Sequence, residues 1–201
     1  MKIEYRETTS DLQTRIDIHS QFGSRNIDEW MLDVIKPTRG MKILDVGCGA
    51  GKQCFSYYDH LGGQAVITGG DVNKDMLAQA RQTADKKQAN IQFIELDFNQ
   101  PFPLEPDQFD FASCCFAIYY AENIPFTIRE MHRVLKPGGR LFTSGPMPAN
   151  KQLFYDVIRE ATGKPIPPMP GSSRYSTEIY AAIQSTFNRV ETHLFENPLV
   201  F

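Results

Sequence analysis

No apolar run in the 201 residues approaches the ~20 needed to cross a bilayer, and no run of Lys or Arg stands out. The first absence predicts a protein without a membrane span. The second, with 21 basic against 24 acidic residues and a net charge of −3, disfavours a nucleic-acid binder, whose surface must neutralise phosphates. Residues 1–15 are polar and lack the apolar core of a signal peptide, so a cytoplasmic location is expected. The four cysteines, Cys48, Cys54, Cys114 and Cys115, form no CxxC pair and no zinc-type spacing. They are expected as packing or site-lining thiols, with no metal role.

What is present reads as one globular domain. Apolar residues at 41% and charged residues at 22% suit a core with helices on both sides of a sheet. Ile27, Trp30, Met31, Val34 and Ile35 form a helical stripe, capped near Asn26 or Asp28 and stopped by Pro37. Residues 42–46 form a buried strand and 52–61 a helix ending at Gly62-Gly63; residues 65–68 form a second strand. Met76, Leu77, Ala80 and Ala84 mark one face of a helix capped by Asn73. Strands at 91–96 and 109–116 follow. A helix through Ile124, Ile128, Met131 and Leu135 then closes at Lys136-Pro137-Gly138-Gly139, before a fifth strand at 140–144. This alternation predicts a Rossmann-like, three-layer α/β sandwich with a mostly parallel sheet. Beyond Gly145 the rhythm changes to a helix at about 150–161, a proline-rich stretch, a helix at 176–187 and a sixth strand at 189–195.

The chemistry concentrates in Leu44-Asp45-Val46-Gly47-Cys48-Gly49-Ala50-Gly51. Glycine at every second position lets the chain turn sharply and lets a ligand approach main-chain N–H groups, while the following helix offers unpaired N–H groups and partial positive charge. Asp45, Asp71 and Asp97 fall at the carboxyl ends of successive strands, where ligands of open α/β sheets bind. Asp71 stands twenty residues after Gly51, suiting a ribose. A dinucleotide loop needs GxGxxG; here the third glycine comes one residue early, and Asp45 would repel a pyrophosphate. An ammonium-bearing ligand without phosphate fits better, and S-adenosylmethionine is one.

On these residues the chain resembles the class I S-adenosylmethionine-dependent methyltransferases of small-molecule type, over at least residues 27–145. The run Arg133-Val134-Leu135-Lys136-Pro137-Gly138-Gly139-Arg140-Leu141 belongs to the same resemblance. It implies that Asp45, Gly47, Cys48, Gly49 and Gly51 form the cofactor loop, that Asp71 holds the ribose, and that Val72 and Met76 pack near the adenine. It further implies that Asp97 accepts from the adenine amino group beside the Phe98 N–H, and that Cys115 lies on the strand–loop bordering the cofactor. Divided accordingly, residues 1–36 are a helical lid, 37–145 the cofactor-binding core, 146–189 the acceptor-side insertion and 190–201 a late strand.

Methyl transfer from a sulfonium is an in-line displacement, for which alignment alone can supply ~7–11 kcal/mol. No residue stands out as a base; His19 is the first candidate. Tyr119 and Tyr120 are expected in the acceptor wall, and residues 163–175 over it. There is no Asp/Asn-Pro-Pro-aromatic run as in nucleic-acid amino methylases, no Pro-Cys pair for 5-methylcytosine chemistry, and no acid set for a catechol-type magnesium site. A small-molecule acceptor is expected. A cofactor-binding regulatory or partner protein without transferase activity, and a nucleotide-dependent oxidoreductase, remain as alternatives. The family's usual last antiparallel strand is expected to be missing, which points to a shortened carboxyl end or a homo-oligomer.

Overall fold

The computed structural model describes residues 17, 21, 23–147, 152–164 and 173–197, the backbone alone for 152–154. Asp17 and Gln21 are helical; further on, helix α1 (Ile27–Ile35) begins where the Asn26 side chain accepts from the N–H groups of Asp28 and Glu29. It ends at Lys36, in the left-handed region, ahead of Pro37. Then follow β1 (Lys42–Val46), α2 (Lys52–His60), β2 (Val66–Asp71), α3 (Lys74–Lys87), β3 (Ile91–Glu95) and β4 (Phe109–Cys115). A 3-10 turn (Ile118–Tyr120), α4 (Ile124–Val134), β5 (Leu135–Ser144) and α5 (Gln152–Thr162) come next, and a π-helical turn (Tyr175–Ile179) leads into α6 (Tyr180–Thr186).

All strand pairs are parallel, in the order β3-β2-β1-β4-β5. On one face Ile43, Ile67, Phe93 and Phe111 pack against Met31 and Ile35 of α1, Tyr57 of α2 and Leu77 of α3. On the other, Leu44, Val46, Ala112 and Cys114 pack against Ile124, Ile128 and Met131 of α4, joined by Ile179 and Ala182. The expected sandwich is therefore present. Strands buried on both faces need apolar residues at nearly every position, which is how β1 and β4 read.

Three boundaries differ from expectation. β2 continues through Gly69 and Gly70, because these glycines are strand residues under crowded neighbours: a Cβ on Gly69 would lie 2.9 Å from Cys48, Cys54 and Phe93. β5 starts at Leu135 instead of Arg140. Leu135 pairs with Phe109 and Arg140 with Phe111, so residues 136–139 form a bulge within the strand, held by Lys136 Nζ to Asp110 Oδ1 at 2.6 Å. Residues 189–195 make no strand. Phe195 instead stacks on Trp30 at 5.0 Å and lies under the Arg25 guanidinium, while the Asn197 side chain accepts from Arg25 N–H at 2.9 Å. Anchored at α1, the segment leaves β5 as an edge strand among the described residues. The five-stranded sheet holds parallel pairs alone, and none of the helices among the described residues is long and apolar enough to cross a membrane.

The packing at Gly69 gives a test. Gly69→Ala overfills the space between β2 and the loop after β1, and should cost about 1–3 kcal/mol in urea unfolding; unchanged stability would show that the neighbours yield freely.

Candidate active site

β1 lies between β2 and β4, so the chain reverses its direction of winding at β1, the switch point where ligands of such sheets bind. Between β1 and α2 the backbone has φ of 72° at Gly47, 54° at Gly49 and 84° at Gly51, a region few side chains tolerate. At Gly47 a Cβ would also come within 2.6 Å of the Ala117 Cβ. The Gly47 and Cys48 N–H groups both donate to Gly70 O, at 2.8 and 3.1 Å, which ties the loop to the end of β2.

Asp71 completes that tie. Its Oδ2 accepts from the Gly49 N–H and its Oδ1 from the Asn73 N–H, each at 2.8 Å. Asn73 in turn caps α3 through the N–H groups of Asp75 and Met76. This cap positions Met76, whose sulfur lies 3.4 Å from where a Cβ on Gly49 would stand. Val72, beside Asp71, is 59% exposed, a branched apolar side chain left open at the cleft.

Asp45 sits beneath the loop. At 2% exposure it accepts from Ser113 Oγ at 2.6 Å and from the Cys54 thiol at 3.7 Å. Burial raises its pKa to about 7, with the hydrogen bonds from Ser113 and Cys54 opposing and the nearby Asp71 charge adding to the rise.

One concavity of about 3090 Å³ spans this region, several times an ordinary ligand pocket, because it continues along β5 to residues 186–197. Asp45, Gly47, Cys48, Gly49 and Asp71 line it, as do Val72, Met76, Phe98 and Cys115. Tyr119 and Tyr120, on the 3-10 turn after β4, line it too, with ring centroids 4.6 Å apart. Gly51 is set back as the N-cap of α2. Asp97 does not line it: its Oδ1 accepts from the Asn99 N–H at 2.9 Å, turning the residue into the loop that follows β3. The expectation that three carboxylates share the crevice therefore holds for Asp45 and Asp71 only. His19 and residues 165–172 of the expected cover lie outside the described residues.

Some lining residues were not anticipated. Lys52 pairs with Asp28 of α1 at 2.9 Å across the cleft mouth. Gln53 is 7% exposed, and its Nε2 has no hydrogen-bond partner. Phe116 takes a positive φ of 54°, uncommon for a bulky residue, with its N–H on Ser144 O at 2.9 Å. An amide or an aromatic at these positions carries no sequence signal beyond its place beside the loop or after β4. The free thiols are Cys48, Cys54, Cys114 and Cys115, and no cluster of His, Cys, Asp and Glu among the described residues could hold a metal.

Comparison with known proteins agrees with this geometry. Residues 37–179 match the family described as methyltransferase domain, and the chain belongs to this family, the class I S-adenosylmethionine-dependent methyltransferases. It is 32% identical over 146 residues to the ubiquinone/menaquinone biosynthesis C-methyltransferase UbiE of Rhizobium leguminosarum, covering 69% of this chain and 56% of that one. With the demethylmenaquinone methyltransferase of Staphylococcus epidermidis it shares 32% identity over 166 residues, covering 79% of this chain and 65% of that one. The chain thus spans less than two thirds of these relatives' length. A crystal structure of an S-adenosylmethionine-dependent methyltransferase from Aquifex aeolicus superposes with a TM-score of 0.69 at 21% identity, covering 92% of each chain, which shows the shared fold.

The buried carboxyl gives a pH test. Its folded pKa of about 7 exceeds the unfolded 3.8, so stability is fully present below 3.8 and is lost as pH rises to about 7. Asp45→Asn should remove that loss, so that the variant's stability relative to the parent rises across this window in urea unfolding; a constant difference would refute the assignment.

Proposed function

We propose that the protein is a methyltransferase that takes its methyl group from S-adenosylmethionine and delivers it to a small aromatic acceptor of quinol type. The observation that carries this reading is the Asp71 carboxylate closing the glycine loop at the sheet's switch point, in a chain whose family match covers it. The acceptor class follows from the quinone-pathway names of the relatives and from the aromatic wall of Phe116, Tyr119 and Tyr120.

The residues present suit the cofactor. Asp71 has lone pairs beyond the two N–H groups it accepts, enough to take both ribose hydroxyls. Val72, Met76 and Phe98 offer apolar surface for the adenine, and Asp97 would have to turn its second oxygen into the cleft to take the amino group. Gly47, Cys48, Gly49 and the buried Asp45 carboxylate suit the amino-acid end, with Gln53 Nε2 a free donor. Gly51 serves by starting α2. When bound, the cofactor supplies a methyl group already activated on a sulfonium. The protein's part is to hold the acceptor in line with it and to exclude water, with Cys115 bordering the cofactor and the tyrosines on the acceptor side. In this division residues 37–145 carry the donor half and 146–189 close the acceptor half. We place the protein in the cytoplasm, and the open β5 edge supports association with a second copy.

Calorimetry with S-adenosylhomocysteine should show binding. Asp71→Ala should weaken it by about 1.5–3 kcal/mol, the range for hydrogen bonds to a charged group. Methyl transfer to reduced demethylmenaquinone with a short tail should then be seen by mass spectrometry. Binding without transfer to any small molecule would favour a regulatory protein, and binding of NADH in place of S-adenosylhomocysteine would overturn the family chemistry.

A further inference from the structure

We propose that Arg174 and Tyr175 form a clip that sets the shape of the acceptor wall, making them positioning residues for acceptor selection; this rests on the methyltransferase reading above. The Arg174 guanidinium donates from one nitrogen to two main-chain carbonyls, Tyr119 O at 2.9 Å and Ala121 O at 2.8 Å, and is itself braced by Glu178 at 3.0 Å. The adjacent Tyr175 hydroxyl is hydrogen-bonded to Thr143 Oγ1 at 2.5 Å. Two consecutive residues thus pin the segment after β4 and the end of β5 to each other.

The ring of Tyr175 needs a specific vacancy. A Cβ on Gly145 would stand 2.5 Å from this ring and 3.4 Å from Tyr119, so only glycine admits Tyr175 between β5 and the tyrosine pair. The pins sit where a π-helical turn begins, Arg174 as its N-cap and Tyr175 as its first residue; such turns recur at functional sites, and buried Ile179 at the end anchors this one in the core. Phe116, Tyr119, Tyr120 and Tyr175 all line the concavity, so the clip fixes surfaces that an acceptor meets. The loop's own ties, Gly47 to Gly70 and Gly49 to Asp71, involve none of these residues.

That separation defines the test. Tyr175→Phe and Thr143→Val each remove the same hydrogen bond. Each should raise KM for reduced demethylmenaquinone about fivefold, and the double variant no further, while the Kd for S-adenosylhomocysteine stays within about twofold. Arg174→Met should do the same and speed amide hydrogen exchange across residues 116–121, with Arg174→Lys only partly restoring protection, because an ammonium lacks the planar fork. Parallel losses in both affinities would reduce the clip to general stability and overturn the proposal. So would unchanged exchange, or an unchanged KM in active variants. A parent protein that transfers no methyl to this acceptor would sink the proposed function, and exchange at 116–121 in the Tyr175→Phe and Arg174→Met variants would then decide the clip alone.

Discussion

One carboxylate bridging two turns organises the molecule. Asp71 ends β2, yet its oxygens hold the Gly49 N–H of the loop after β1 and the Asn73 N–H that opens the cap of α3. The left-handed glycines make the loop possible, but glycine also makes it the most costly segment to order, because it has the most backbone freedom to lose. A charge-assisted bond from outside the loop offsets that cost. The parallel register of β1 on β2 places the two turns within reach, so sheet pairing, loop shape and helix cap depend on one another.

Beneath this bridge the structure divides its labour between two packed layers. The face carrying α1, α2 and α3 supports the glycine loop, through Phe55 and Phe93 beside Gly51 and through Cys54 beside Asp45. The face carrying α4 and α6 supports the turn with Tyr119 and Tyr120. Asp45 stands between them on the central strand. A carboxyl buried there is held closer to neutrality than a surface acid, so ionising it needs compensation from its surroundings.

Local pattern made the first half readable. Glycine spacing, the Asn73 cap, the stop at Pro37 and the apolar runs of β1 and β4 are short-range signals, each expressed within a few residues, and the fold follows them. Where sequence reading failed, a distant partner decided. Residues 189–195 alternate well enough for a strand, but Phe195 finds Trp30 and Arg25 instead of a sheet edge. Pro137 and Gly138 look like the end of an element, yet Lys136 reaches Asp110 and the strand passes through them as a bulge. The ties of Arg174 and Tyr175 span more than thirty residues and leave no periodic trace.

The position of Arg174 along the chain has a consequence for biosynthesis. Among the described residues, the hydrogen-bond partners that tie down the glycine loop and Asp45 beneath it, up to Ser113, lie in the first two thirds of the chain. A chain leaving the ribosome at about 5–20 residues per second therefore has the glycine loop and its partners available for folding before residue 174 is made. The segment after β4 lacks its ties to Arg174, and β5 its tie to Tyr175, during that interval, so the nascent protein passes through a stage in which the glycine loop is held and the Tyr119–Tyr120 turn is not yet pinned.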